Sequence, residues 1–158
     1  MVSKRQNVGV SVRRERLCIV MACDDAAEAA QAGRALLKVN SGLLVAYPSA
    51  GEILLNRPAG KVVLVVLAGP DDPETVERTL KWMRHRWSHC PVAVIGSGGD
   101  RALEMAARRG GASYLVRPVS DQAWEAVIGH AFRNHTVISY AENCGQLAAE
   151  EPKPNASP

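Results

Sequence analysis

The sequence predicts an α/β fold: a doubly wound sheet of five parallel strands in the order 2-1-3-4-5, with helices on both faces. Three observations predict it. Five short runs, apolar along their whole length, alternate with longer segments of helical period. Uninterrupted apolar runs mark strands covered on both faces, the condition of a parallel sheet. The crossovers are long enough to hold helices, and right-handed crossovers in a chain of this size favour the doubly wound order.

LCIVM at 17–21 is the first strand, after which Asp24 or Asp25 caps an alanine-rich helix running to about Lys38. LLVAY at 43–47 is the second; Ser49 opens a short helix, SAGEILLN, that the turn Arg57-Pro58-Ala59-Gly60 ends. VVLVVL at 62–67 is the third. Asp72 followed by Pro73 starts the next helix, because aspartate accepts backbone N–H bonds and proline fits the first helical position. That helix runs to about Ser88 and buries Val76, Leu80, Met83 and Trp87 at four-three-four spacing. The fourth strand, VAVI at 92–95, ends in the loop GSGG; Asp100 caps a helix through Arg109 that Gly110 and Gly111 stop. YLV at 114–116 is the fifth strand. Beyond Arg117-Pro118, Ser120 or Asp121 opens a last helix with Trp124, Val127, Ile128 and Phe132 on one stripe.

With 47% hydrophobic and 22% charged residues, the chain has the balance of a soluble globular domain. No apolar stretch approaches the roughly 18 residues of a membrane span, and the basic N-terminus precedes no apolar signal core. A cytoplasmic protein without a membrane partner is expected. The net charge of +3 divides unevenly: +4 on residues 1–16, +1 on 17–133 and −2 on 134–158. A nearly neutral fold makes nucleic acid an unexpected partner. Residues 1–15 are therefore expected to be a flexible basic arm, 16–133 the folded domain, and 134–158 a flexible tail whose end, AAEEPKPNASP, has little to bury. Cys18, Cys23, Cys90 and Cys144 form no C-x-x-C pair and read as small buried hydrophobes.

Motifs for chemistry are sparse. GSGGD at 96–100 lies between a strand and a helix, but Arg101 stands where G-x-G-x-x-G needs glycine. His85, His89, His130 and His135 show no metal-ligand spacing, and Ser97 has no histidine at a recognisable partner spacing. No catalytic set, metal or cofactor is expected, and the chain is not expected to be an enzyme.

The residues do resemble a family. AARRGGASYLVRPVS at 106–120 looks like the end of a response-regulator receiver domain, where a helix and Gly-Ala precede an aromatic-containing strand and Lys-Pro. VVLVVLAGPDD is similar to the family's strand bearing an Asp four residues before a Pro, and CPVAVIG at 90–96 to its strand ending in Thr or Ser. The resemblance covers about residues 16–133.

That resemblance implies a degenerate pseudo-receiver, a two-component signalling scaffold without phosphorelay chemistry. The phosphoacceptor position falls on Val66, which has no nucleophile. The cation-holding acidic pair falls on Met21-Ala22 or Ala22-Cys23, with Asp24 as the remnant acidic residue; hard cations want oxygen ligands. The Thr or Ser becomes Gly96, the Lys becomes Arg117, the switch aromatic is Tyr114, and Arg117-Pro118 matches a bond often held in cis. Asp71 and Asp72, beyond Pro70, read as helix caps.

Function then rests on docking a protein partner or a second copy through the face of helix 4, strand 5 and helix 5. The candidate contacts are Arg101, Glu104, Arg108, Tyr114, Val119 and Trp124, with Trp82 as an exposed anchor off its helix's apolar stripe. The alternative is a flavodoxin-like domain holding a nucleotide or other anion at the strand ends through Gly96, Ser97, Gly98, Gly99 and Arg117.

Overall fold

The computed structural model describes residues 15–40, 42–56, 58, 60–69 and 72–148. Most of the expected basic arm, Asp71 and residues 149–158 lie outside the described residues. Strands β1 (Leu17–Ala22), β2 (Leu43–Tyr47), β3 (Lys61–Ala68), β4 (Val92–Gly96) and β5 (Ser113–Val116) alternate with helices α1 (Ala26–Val39), α2 (Ala50–Leu55), α3 (Pro73–Arg86), α4 (Arg101–Arg109) and α5 (Asp121–Ala148). All neighbouring strands pair in parallel, in the order β2-β1-β3-β4-β5. The fold class and strand order read from the sequence are those observed.

Side chains alternate across a strand, so a two-sided sheet splits its apolar residues between two layers. Met21, Leu64, Val66 and Ile95 face α1 and α5, where they meet Leu36, Trp124, Ile128 and Phe132. Val20, Val65, Leu67 and Val94 face the other layer and meet Ile53, Val76, Leu80 and Leu103 of α2, α3 and α4. Among the described residues every buried side chain of the core is apolar.

The helix starts carry the caps their sequences call for. Asp25 accepts from the Ala27 and Glu28 N–H groups, Ser49 from Glu52, Asp72 from Glu74 and Thr75, and Asp100 from Leu103. For α5 the Ser120 hydroxyl accepts from the Ala123 N–H at 3.1 Å, so the serine is the cap. The helix α3 stops at Arg86, two residues before the expected end, with Trp87 half-buried as its C-cap.

At its far end α5 runs to Ala148, well past the boundary expected at 133. Falling hydrophobicity marked that boundary, but helices end at breakers, and Gly145 is the sole glycine or proline between Phe132 and Pro152. No helix among the described residues is long and apolar enough to cross a membrane.

Two expected interface residues prove to be core. Trp124 is 1% exposed and Val119 is 5% exposed. Trp124 shares its stripe with Ile128 and Phe132, and the chain entering α5 turns Val119 inward, its carbonyl accepting from Gln31 Nε2 at 2.8 Å. Trp124→Ala is expected to lower the unfolding free energy by about 3–5 kcal/mol in a denaturant titration. Trp124→Phe should cost much less, since the buried indole N–H has no hydrogen-bond partner to give up.

Candidate functional site at the carboxyl ends of the strands

A doubly wound sheet binds and reacts in the crevice outside its strand carboxyl ends, where the strand order reverses. Here that point lies between β1 and β3. Val66 does not reach it. The side chain is fully buried, paired beside Met21 and Ala93 within the α1–α5 layer. The strand continues to Ala68, which is half-buried on the same face and is the residue at the tip. Gly69 follows at φ 77°, a left-handed conformation that glycine adopts freely. Neither valine nor alanine carries a nucleophile.

Met21, Ala22 and Cys23 are all buried, Met21 and Ala22 in β1 and Cys23 just past it. The first carboxylates at the crevice are instead Asp24 and Asp25. Asp25 is committed to capping α1. Asp24 is exposed and lines a cleft of about 220 Å³ with Ser49, Thr75, Thr79, Ala68 and Gly69. No cation lines that cleft, which suits it poorly to phosphate. Among the described residues no three His, Cys, Asp or Glu side chains gather closely enough to hold a metal. Asp72 is also occupied: its carboxylate accepts from the Thr75 hydroxyl at 2.7 Å and the Thr75 N–H at 3.0 Å. The Thr75 hydroxyl and backbone bonds hold its pKa below the usual carboxylate range.

Gly96 and Tyr114 are matched in shape. The tyrosine lies over the end of β4 and donates its hydroxyl to the Ser97 carbonyl at 3.1 Å. A Cβ at position 96 would sit 2.2 Å from that hydroxyl oxygen and 2.8 Å from Leu103 Cδ2. The inward tyrosine therefore requires the glycine. Desolvation, then the charges of Asp100 and Glu104, raise the phenol pKa, so the hydroxyl stays a donor.

Arg117 crosses the crevice rather than reaching out of it. Its Nε donates to Glu28 Oε2 and its Nη2 to Glu28 Oε1, both at 2.9 Å, the fork-to-fork geometry that arginine offers and lysine does not. The side chains are 35% and 11% exposed, so the pair is half screened. The hydrogen bonds it donates to Glu28 dominate the upward shift of the guanidinium pKa. The same carboxylate accepts from the Cys23 thiol at 3.6 Å, and the guanidinium passes beside Gly69. The Arg117-Pro118 bond is cis. The ends of the GSGG loop are likewise engaged, through the Ser97 carbonyl and the Asp100 cap on Leu103.

On the neighbouring face Arg101 and Arg108 are exposed, and Glu104 pairs with Arg108 at 2.8 Å. Met105 is 43% and Val116 is 49% exposed there, large apolar side chains that the sequence did not single out. Trp82, as expected, stands out on α3, 52% exposed. The one cation over an indole face among the described residues is Arg86, above Trp87 rather than Trp82. Glu28 was also missed. Its signal was indirect: an arginine where the family has lysine asks for a carboxylate, but the partner stands 89 residues away in the chain.

No protein-family model and no curated protein matches the chain. Solved structures do. A CheY-like protein, tadZ, from Pseudomonas aeruginosa is 18% identical with a TM-score of 0.60, covering 73% of this chain and 99% of that one. A response regulator receiver domain from Clostridium thermocellum is 19% identical at TM-score 0.59, covering 78% and 98%. The signal receiver domain of an HD domain-containing protein from Pseudomonas fluorescens is 18% identical at TM-score 0.62, covering 82% and 96%. At such identities the likeness establishes a receiver-like fold.

Gly96→Ser should drive Tyr114 outward and destabilise the fold by about 1–3 kcal/mol. Much of that cost should vanish in a Tyr114→Ala background, a coupling that a double-mutant cycle in urea would measure. Glu28→Gln should cost about 1 kcal/mol, discounted for the exposure of Arg117. The same substitution in an Arg117→Gln chain should cost little.

Proposed function

We propose that the chain is a pseudo-receiver: a signalling or scaffold module that works without phosphoryl transfer, by docking a protein partner or a second copy of itself. The face concerned is built from α4, β5 and the start of α5. The observation that carries this reading is the fit of Tyr114 into the space left by Gly96. A switch aromatic held inward by shape needs no modification to place it. The apolar residue at the tip of β3 and the Arg117–Glu28 pair agree, since one removes the acceptor and the other occupies the cation that would meet a phosphoryl group.

Beside Tyr114, exposed Met105 and Val116 offer apolar anchors, with Arg101, Glu104 and Arg108 as a charged rim. That is the usual composition of a protein-binding patch, an apolar centre inside a polar border. Trp82 lies on α3, outside the three elements that build this face.

Acetyl phosphate or beryllium fluoride with magnesium should leave the mass, the melting temperature and the Tyr114 environment unchanged. Uptake abolished by Asp24→Asn or Asp72→Asn would overturn the phosphorylation-independent reading. For docking, Met105→Glu with Val116→Glu should abolish partner capture or self-association while the chain stays folded. Capture or association unchanged in that variant would move the interface elsewhere.

A further inference from the structure

The opposite end of the sheet carries a feature that the docking face does not use. Two contiguous cavities of about 320 and 470 Å³ open at the amino ends of β3 and β4, sharing Gly60, Val62, Arg86 and Trp87. Val62, Val63 and Ala131 supply apolar walls, and Lys61, Arg86 and His89 supply cationic or protonatable groups. Among the described residues no carboxylate lines either cavity. Lys61 makes no ion pair among the described residues, and Arg86 lies 5.2 Å above the Trp87 ring. The helix α3 ends here, with Arg84, His85 and Arg86 in its last turn beside the terminal carbonyls.

The chain enters β1 at this same end. Leu17 opens β1 beside Lys61, whose N–H donates to the Arg16 carbonyl at 3.0 Å. Lys4, Arg5, Arg13 and Arg14 precede Arg16 in the chain, with Glu15 as the one carboxylate among them. Asp24, Asp25, Asp72 and Asp100 all follow strand carboxyl ends or cap the next helices at the far side. A charge sum over residues 17–133 hides this division.

We infer that this groove is a binding site for single-stranded nucleic acid. Lys61 and Arg86 line a concavity to which the described residues bring no carboxylate, a setting that suits the phosphates of an extended polyanion. The cations line a concavity, which a flat lipid surface would leave unfilled. The Arg86 guanidinium over the Trp87 ring offers a flat cation suited to the face of a base, which an acidic peptide does not present. Stacking on that group needs unpaired bases, which a single strand presents and a duplex does not. The site is independent of the α4–β5–α5 surface.

Fluorescence anisotropy on the full chain tests it, with a labelled oligothymidylate of about ten nucleotides. The comparison probes are the matching duplex, an abasic strand, poly-glutamate and phosphatidylglycerol vesicles. Lys61→Gln with Arg86→Gln, checked for an unchanged melting temperature, is expected to weaken strand binding at least tenfold. Its log-affinity against log-salt slope should fall by about 0.7 for each phosphate that the variant no longer neutralises, and the abasic strand should bind more weakly than the intact one. The inference is overturned by absent binding at low salt or by equal affinity for the abasic strand. It is equally overturned by preference for duplex, peptide or vesicles, or by an effect confined to an Arg13→Ser, Arg14→Ser variant of the leader.

Discussion

A parallel sheet covered on both faces constrains everything else in this molecule. Each of its central strands must be apolar on two sides, so β1, β3 and β4 carry no polar side chain between their first and last residues. Chemistry is confined to the strand tips and the loops beyond them. At the tip of β3 that last residue is alanine, and what crosses the crevice is an ion pair, Arg117 to Glu28, tying β5 to α1. The pair is bidentate: Nε and Nη2 along one guanidinium edge each meet a carboxylate oxygen, and the carboxylate is mostly buried. A site that satisfies its own charge has little free energy to gain from an incoming anion, because binding would first have to separate the fork.

Position 96 obeys the same limit on space. A side chain there and an inward Tyr114 would compete for one volume, and competition of that kind makes a two-state switch, since packed interiors are bistable rather than compressible. Removing the side chain removes the competition. Glycine at the end of β4 and a tyrosine hydroxyl on the Ser97 carbonyl are thus two descriptions of one packing arrangement.

The fold was legible because its signals are local and repeated: apolar runs, an aspartate or serine before each helix, glycines after α4. The site was legible only in part. Counting back from Pro70 places the expected acceptor position at Val66, but β3 runs on to Ala68, so the tip is set by strand length rather than by spacing to the proline. Asp24 was found because it directly follows β1 and the residue after it, whereas Glu28 was not, because its significance depends on a partner just beyond β5. Trp124 and Val119 were misjudged for the converse reason: a stripe residue can serve core or surface, and the choice is made by α1 closing over α5. The end of α5 was misread because polarity and helix termination are different properties, and no breaker stands where the polarity changes.

Net charge shows the same limit in another form. A sum near zero is compatible with neutrality everywhere or with opposite poles, and the two have different fields. The α/β connectivity decides between them here. N-terminal caps, which favour aspartate and serine, all fall at the carboxyl ends of parallel strands, while the last turns of helices, which favour arginine, lysine and histidine, fall at the amino ends. In this chain Asp25, Asp72 and Asp100 stand at one end and Arg84, His85 and Arg86 at the other. Capping chemistry that each helix needs for itself thereby gives the whole domain a direction. The α4–β5–α5 face, carrying both signs of charge, lies along the flank between the poles, so a protein docked there and a strand held at the basic end would not compete for the same surface.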